Sequence, residues 1–288
     1  MGDDLANSPE VECAASIGSA YVGSNHCSRQ DTIHKIFETL AAHEAFACVR
    51  MSHVPSDADS LIARQRELAT TAPEPQLVDP TTAIIGGCWV CFPRGLVGPG
   101  TDHDPAWSAA VIMRGGGVLE RQVISSIASA SYVPGLMALR LGPLMEEAVR
   151  ALSDRPHVLL LDATAHDHPR RAGLALHLGA ELDIPTIGVT HRPLVASGEW
   201  PSDQRGATSP LRIDDSVVGC WLRTQPGVRP LAVHPGWRID LATAVEVVTL
   251  LTRRRRTPEP LRRARQLARR ARTHARTPME PGDPSEDT

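Results

Sequence analysis

Apolar residues along this chain fall in short runs separated by polar, glycine- and proline-rich stretches. Val158–Leu161 is an unbroken apolar run that stops abruptly at Asp162. A polar turn with His166, Asp167, His168 and Pro169-Arg170-Arg171 follows, then a helix-like segment and a second apolar run, Ile184–Val189. The pattern predicts strand, loop, helix, strand, because fully buried strands appear as short continuous apolar runs. Open α/β sheets bind ligands at the carboxyl ends of such strands. Asp162 is therefore the first candidate for chemistry.

Upstream, Ser60–Thr71 has the spacing of an amphipathic helix with Ser60 as its capping candidate, ended by Pro73, Pro75 and Pro80. Residues 82–92 predict a strand apolar on both faces. A loop, Pro93–Pro105, carries Asp102-His103-Asp104. Trp107–Met113 and Val118–Ala130 predict two more strands, joined by glycines 115–117 as a hairpin. Tyr132–Gly135 is a turn sequence before a helix from Leu136 to Leu152. Downstream, a polar stretch from Thr190 to Asp214 predicts a surface loop. Strands at Val217–Leu222 and Leu231–Val233, a helix at Leu241–Leu251 and an arginine-rich helix at Pro260–Arg272 complete the pattern. Nearer the start, Ile33, Ile36, Phe37 and Leu40 fall at helical spacing within Asp31–Arg50. Hairpin-linked strands followed by alternating helices and strands predict an α/β fold.

Composition narrows the class. At 42% apolar over 288 residues the chain is able to bury a core. No stretch approaches the length of apolar sequence needed to cross a bilayer. The start, MGDDLANSPE, lacks the basic and apolar regions of a secretory signal, so a cytoplasmic protein without membrane attachment is expected, and a monomer is expected as well. The six cysteines are scattered, which predicts reduced thiols. Cys88-Trp89-Val90-Cys91 is a lone CxxC with no second pair to complete a zinc site. The net charge of −3 hides an asymmetry. Residues 253–276 hold 11 arginines and a single acid, Glu259, and that density points to a polyanion such as nucleic acid.

Several stretches taken together resemble the endonuclease V family, metal-dependent nucleases that nick nucleic acid near deoxyinosine or inosine. Tyr132-Val133-Pro134-Gly135-Leu136 is similar to the family's wedge, and Arg140 to the arginine that follows it. Leu161-Asp162, then His168-Pro169-Arg170-Arg171, Gly173, His177 and Gly179, match a second block. Pro185–Val189, Pro235-Gly236-Trp237-Arg238 and Pro258-Glu259-Pro260 match three more in order. The resemblance implies a ribonuclease H-like mixed five-stranded sheet flanked by helices, over residues 57–273. Residues 1–56 are then an extension of unassigned role, and 274–288 a polar, disordered tail.

The resemblance also implies Mg²⁺, held by a carboxylate cluster with a histidine nearby. Carried over position by position, Asp162 remains, while Cys88, Leu141 and Trp237 stand where the family has two further carboxylates and the histidine. Glu146 and Glu147 lie on a different helix face from Leu141 and do not replace it. Asp102, His103 and Asp104, or His166, Asp167 and His168, are candidates for a relocated metal site; otherwise Asp167 suits a helix cap before Pro169. The binding elements are better kept. The resemblance assigns nucleic-acid contact to Tyr132, Val133, Pro134, Gly135, Arg140, His168, Arg170, Arg171 and Arg238, and to His191, which stands where the family has a lysine. His177 is expected to be a core histidine with its hydrogen bonds satisfied. Three functions follow: a binder of inosine-containing or distorted DNA or RNA with cleavage lost or impaired, a nuclease with a rearranged metal site, or a non-catalytic protein scaffold.

Overall fold

The computed structural model describes residues 55–275, apart from 97 and 254. The helix expected at Asp31–Arg50, the extension before it and the tail past Ala275 lie outside the described residues.

The first described helix, α1 (Ala58–Thr70), starts two residues before the expected cap, Ser60. Asp57 is the cap, its carboxylate accepting from the Ser60 backbone N–H at 2.9 Å. Then come β1 (Ile85–Cys91), β2 (Pro105–Arg114), β3 (Gly117–Ile127), α2 (Met137–Arg150), β4 (Val158–Leu161), α3 (Leu174–Leu182) and β5 (Thr186–Thr190). The chain continues through β6 (Thr208–Ile213), β7 (Ser216–Leu222), β8 (Leu231–Pro235), α4 (Leu241–Leu251) and α5 (Glu259–His274).

All eight strands form one mixed sheet in the order β3-β2-β1-β4-β5-β8-β7-β6. The five expected strands lie side by side, and the sheet runs on for three more. β1, β4 and β5 are parallel, with Cys88 opposite Leu161 and Leu161 opposite Gly188. β8 runs antiparallel to β5, pairing Ile187 with Pro235. β6 occupies part of the stretch predicted as loop. It is an edge strand in which only Leu211 is buried, and Pro210 interrupts its pattern.

Alternation along β4 shows how the layers are built. Leu159 and Leu161 pack against α1, α2 and α3, in a core with Leu61, Leu139 and Leu178. Val158 and Leu160 face the other side, with Val247 and Val248 of α4 and Leu261 of α5. A strand buried on both faces has no polar positions, which explains its all-apolar sequence. α5 lies against β1 through a stripe of Leu261, Ala264 and Ala268, all fully or nearly fully buried. Gly87 makes that approach possible, since a Cβ there would stand 2.5 Å from the Pro260 carbonyl carbon. Among the described residues no helix is long and apolar enough to cross a membrane.

Candidate functional site

The parallel strands bring Asp162 to the carboxyl edge of the sheet, one residue past the Cys88–Leu161–Gly188 register. Asp162 is solvent-accessible, yet enough protein surrounds it to push its carboxyl up to about 6. Lost hydration outweighs the opposing pull of Arg265, which reaches this edge from α5. The Arg265 guanidinium lies over the Trp89 ring at 5.1 Å, and its buried Nε has no hydrogen-bond partner among the described residues. His191, just past β5, accepts from Arg256 Nη1 at 2.7 Å through Nδ1. Burial and the charges of Arg256, Arg265 and Arg229 hold that imidazole below its ordinary pKa. Arg229 in turn lies 5.5 Å over the half-exposed Trp200 ring. Asp162 thus looks out into a basic, aromatic-flanked edge.

The other two positions on this side of the expected metal site are apolar in practice. Cys88 is fully buried, its Sγ directed to the Met145 carbonyl at 3.8 Å, and burial pushes its thiol up to about 12. Leu141 packs against the same apolar cluster. Cys91 joins a separate cluster with Trp107 and Ala268, on the opposite face of β1. The CxxC thiols therefore point apart and share no site.

Trp237 corrects the expected convergence. It follows β8 at the amino-terminal edge of β5, where its N–H donates to Thr186 Oγ1 at 2.9 Å and its indole Nε1 to Asp183 at 3.0 Å. Thr186 stands opposite Leu159, and three residues of strand, about 10 Å, separate that level from Asp162. Arg238 shares the misplacement, pairing with Asp183 at 3.2 Å. Neither belongs to the edge that holds Asp162. A cavity of about 640 Å³ also lies away from it, at the amino-terminal end of β1, lined by Pro80, Ile85, Met113 and Arg262.

Among the described residues no group of three or more His, Cys, Asp or Glu side chains is arranged to hold a metal ion. The two relocated clusters have other duties. Asp104 pairs with Arg140 at 2.5 Å and accepts from the Thr101 N–H at 2.9 Å. Asp102 and His103 are exposed, 3.8 Å apart. Asp167 is fully buried and caps no helix: its carboxylate accepts the N–H groups of Leu194, Val195 and Ala196 at 2.7, 2.8 and 2.7 Å. It ties the segment after β5, which carries His191, to the turn after β4. His166 Nδ1 donates to the Arg171 carbonyl, 3.0 Å away.

Several residues expected to touch nucleic acid instead build the turn that precedes α2. Leu136 N–H bonds the Val133 carbonyl at 3.0 Å, and Gly135 has φ +77°, a type II turn with Pro134 and Gly135 in the places that chemistry prefers. The Gly135 carbonyl is held by Gln65 Nε2 at 3.1 Å, Arg170 Nη2 at 2.6 Å and His168 Nε2 at 3.2 Å. His168 Nδ1 accepts the Arg170 N–H, so the network calls for the neutral Nε2–H tautomer. Val133 and Pro134 remain exposed at the tip and Tyr132 half-buried beside them. Arg140 is 4% exposed, bound to Thr101 and Ala130 carbonyls and stacked 4.2 Å over Phe92. It holds the Pro93–Pro105 loop in place and offers nothing outward. Arg171 pairs with Asp214 at 3.1 Å, joining the turn after β4 to the β6–β7 hairpin. His177 is fully buried with neither ring nitrogen partnered among the described residues, contrary to the satisfied histidine expected. Sequence reasoning missed Arg265, Trp89, Arg256 and Arg229; strand alternation from Cys88 points to Trp89, whereas nothing marks Arg265 within the arginine run.

A mixed sheet flanked by helices on both faces, with a basic, solvent-accessible edge at the carboxyl ends of its parallel strands, defines an α/β protein whose edge suits an anionic ligand. Residues 67–266 match the family model for endonuclease V. The chain belongs to the endonuclease V family. It is 39% identical over 178 residues to the endonuclease V of Roseiflexus castenholzii, covering 61% of this chain and 80% of that protein. The crystal structure of endonuclease V from Streptomyces avermitilis superposes with a TM-score of 0.71 at 35% identity, over 79% of this chain and 98% of that one. Endonuclease V of Ciona intestinalis, solved with a 24mer DNA containing an inosine followed by a ribo-adenosine, shares the fold at 21% identity and a TM-score of 0.63, over 75% of this chain and 98% of that one.

Proposed function

We propose that this chain binds inosine-containing or distorted nucleic acid and has lost metal-dependent phosphodiester cleavage. One observation carries the reading. Of the expected carboxylate positions only Asp162 is a carboxylate, while Cys88 is a buried thiol and Leu141 packs into the apolar core. Mg²⁺ needs several hard oxygen ligands in near-octahedral array, and two ions need more carboxylate than one residue supplies. The side chains present do not fit that group, so no cleavage step is routed through it. The order β3-β2-β1-β4-β5 supports the ribonuclease H-like ancestry. Family membership and the DNA bound by the Ciona relative support a nucleic-acid ligand. The exposed Val133-Pro134 tip supports a wedge, since an apolar insertion opens a weakly paired step at low cost.

The test mixes inosine-containing DNA and RNA with the protein, with and without Mg²⁺ or Mn²⁺, and scores gel shift and nicking separately. A shift without nicking is the expected result. Nicking in either metal that Asp162→Ala abolishes would overturn the loss of cleavage, and absence of any shift would overturn the nucleic-acid ligand.

A further inference from the structure

The edge around Asp162 holds positive charge in place of ligands for a metal. Three arginines, Arg265, Arg256 and Arg229, bear on it, two of them near enough to His191 to lower its proton affinity along with Arg265. Arg256 is spent on structure: it donates to His191 and to the Arg229 and Pro230 carbonyls. Arg265 is not. It donates no hydrogen bond among the described residues, its buried Nε is orphaned among them, and its guanidinium lies over the Trp89 ring, 5.1 Å from its centre. The residue as a whole is only partly buried, and no described acceptor takes up its Nη donors, which leaves them open to a ligand at the edge. The contact with Trp89 near the end of β1 and the close seat of α5 on Gly87 put its guanidinium at the carboxyl edge of the strands, near enough to Asp162 to favour its charged form.

From this geometry, and resting on the nucleic-acid reading above, we infer that Arg265 takes the place of the metal, holding a backbone phosphate directly at the sheet edge. The ligand class is a phosphodiester. A guanidinium presents a planar fork of donors matched to two phosphate oxygens, and it is charged at every physiological pH. Binding through it requires no divalent ion. Asp162 then acts against the phosphate, the reverse of its role as a metal ligand, where its charge would recruit the ion. The sign of the Asp162 effect separates the two arrangements.

The experiment measures fluorescence anisotropy of a labelled inosine-containing single strand with the full chain, in EDTA and in Mg²⁺ at matched ionic strength. The wild type is expected to bind equally, within about twofold, in both. Arg265→Ala should weaken binding roughly ten- to hundredfold, the loss typical of a charge-assisted bidentate contact. Arg265→Lys should recover part of it. Arg269→Ala, an exposed arginine one turn further along α5, should cost only about two- to threefold. Asp162→Asn should leave binding unchanged or tighten it. Helical content and melting of each variant establish that it is folded. Wild-type binding that needs Mg²⁺, an Arg265→Ala variant equal to wild type, or an Asp162→Asn variant that binds worse would each overturn this inference and leave the nucleic-acid reading standing. Failure of the wild type to bind in both buffers would overturn that reading and this inference with it.

Discussion

Replacing Asp167 by alanine removes one carboxylate and leaves three amides, those of Leu194, Val195 and Ala196, without an acceptor. Each bond is charge-assisted, and such bonds contribute about 1.5–3 kcal/mol. The simple sum overstates the cost, because Leu194 and Val195 are 56% and 45% exposed and water can reach their amides. Ala196 is buried and its N–H has no such recourse. The expected loss is therefore about 3–5 kcal/mol, the range for removing one partner from a buried ionic contact. For a domain of this size that corresponds to a fall in Tm of about 10 °C. Asp167→Asn keeps the oxygen that serves Val195 and Ala196 and turns an amide toward the Leu194 N–H, so it should lie between alanine and wild type. Urea unfolding gives the free energies, and hydrogen exchange at residues 194–196 gives the local effect. A cost below about 1 kcal/mol for alanine, or unchanged protection of those amides, would show that the carboxylate does not hold the segment.

Three further outcomes are expected. His177 and His234 are buried, with pKa values lowered by burial to about 4 from an ordinary 6.5. Both stay neutral in the fold while the unfolded chain takes up protons below 6.5, so stability is complete above that pH and falls as pH drops toward 4. The loss is about 1.4 kcal/mol per pH unit for each, and His177→Leu should flatten the slope of urea midpoints between pH 7 and 5 by roughly 2 kcal/mol. Arg140→Ala should destabilise by about 3 kcal/mol through its abandoned partner Asp104, while the slope of log affinity against log salt stays as it was, since no phosphate contact is lost. Gly135→Ala forces a side chain into φ +77° and to 3.0 Å from Arg170 Nη2; it should cost about 1–2 kcal/mol in thermal melts and weaken binding of an inosine-containing strand.

Periodicity made the sheet's centre legible. β4 and β5 are apolar on both faces because helices cover both, and the Val-Pro-Gly turn carries its geometry in its residue types. β6 escaped because an edge strand with one buried side chain has no contrast between its faces. Trp237 was misplaced for a topological reason: a motif after a strand says nothing of which edge that strand ends on, and β8 runs opposite to β5. Arg140 and Arg170 looked like phosphate contacts because a sequence does not distinguish an arginine that faces solvent from one that braces a carbonyl. Asp167 resembled a cap, since a carboxylate before a proline fits that pattern as well as a long-range anchor does. Arg265 was hidden among neighbours of its own kind.

The close seat of α5 on Gly87 has a consequence for the protein's life without its ligand. Leu261, Ala264 and Ala268 bury one stripe of the helix against the sheet, so its guanidinium groups cannot spread apart as they would on a free surface. Glu259 pairs with Arg262 and Arg263, while burial first, and then the charges of Arg265 and Arg272, lower the proton affinity of Arg269. An anion that settles there relieves the repulsion and binds only the native state, so occupancy and folding are thermodynamically linked. The chain should then be most resistant to unfolding and proteolysis when polyanion is plentiful, and its abundance would follow the supply of what it binds.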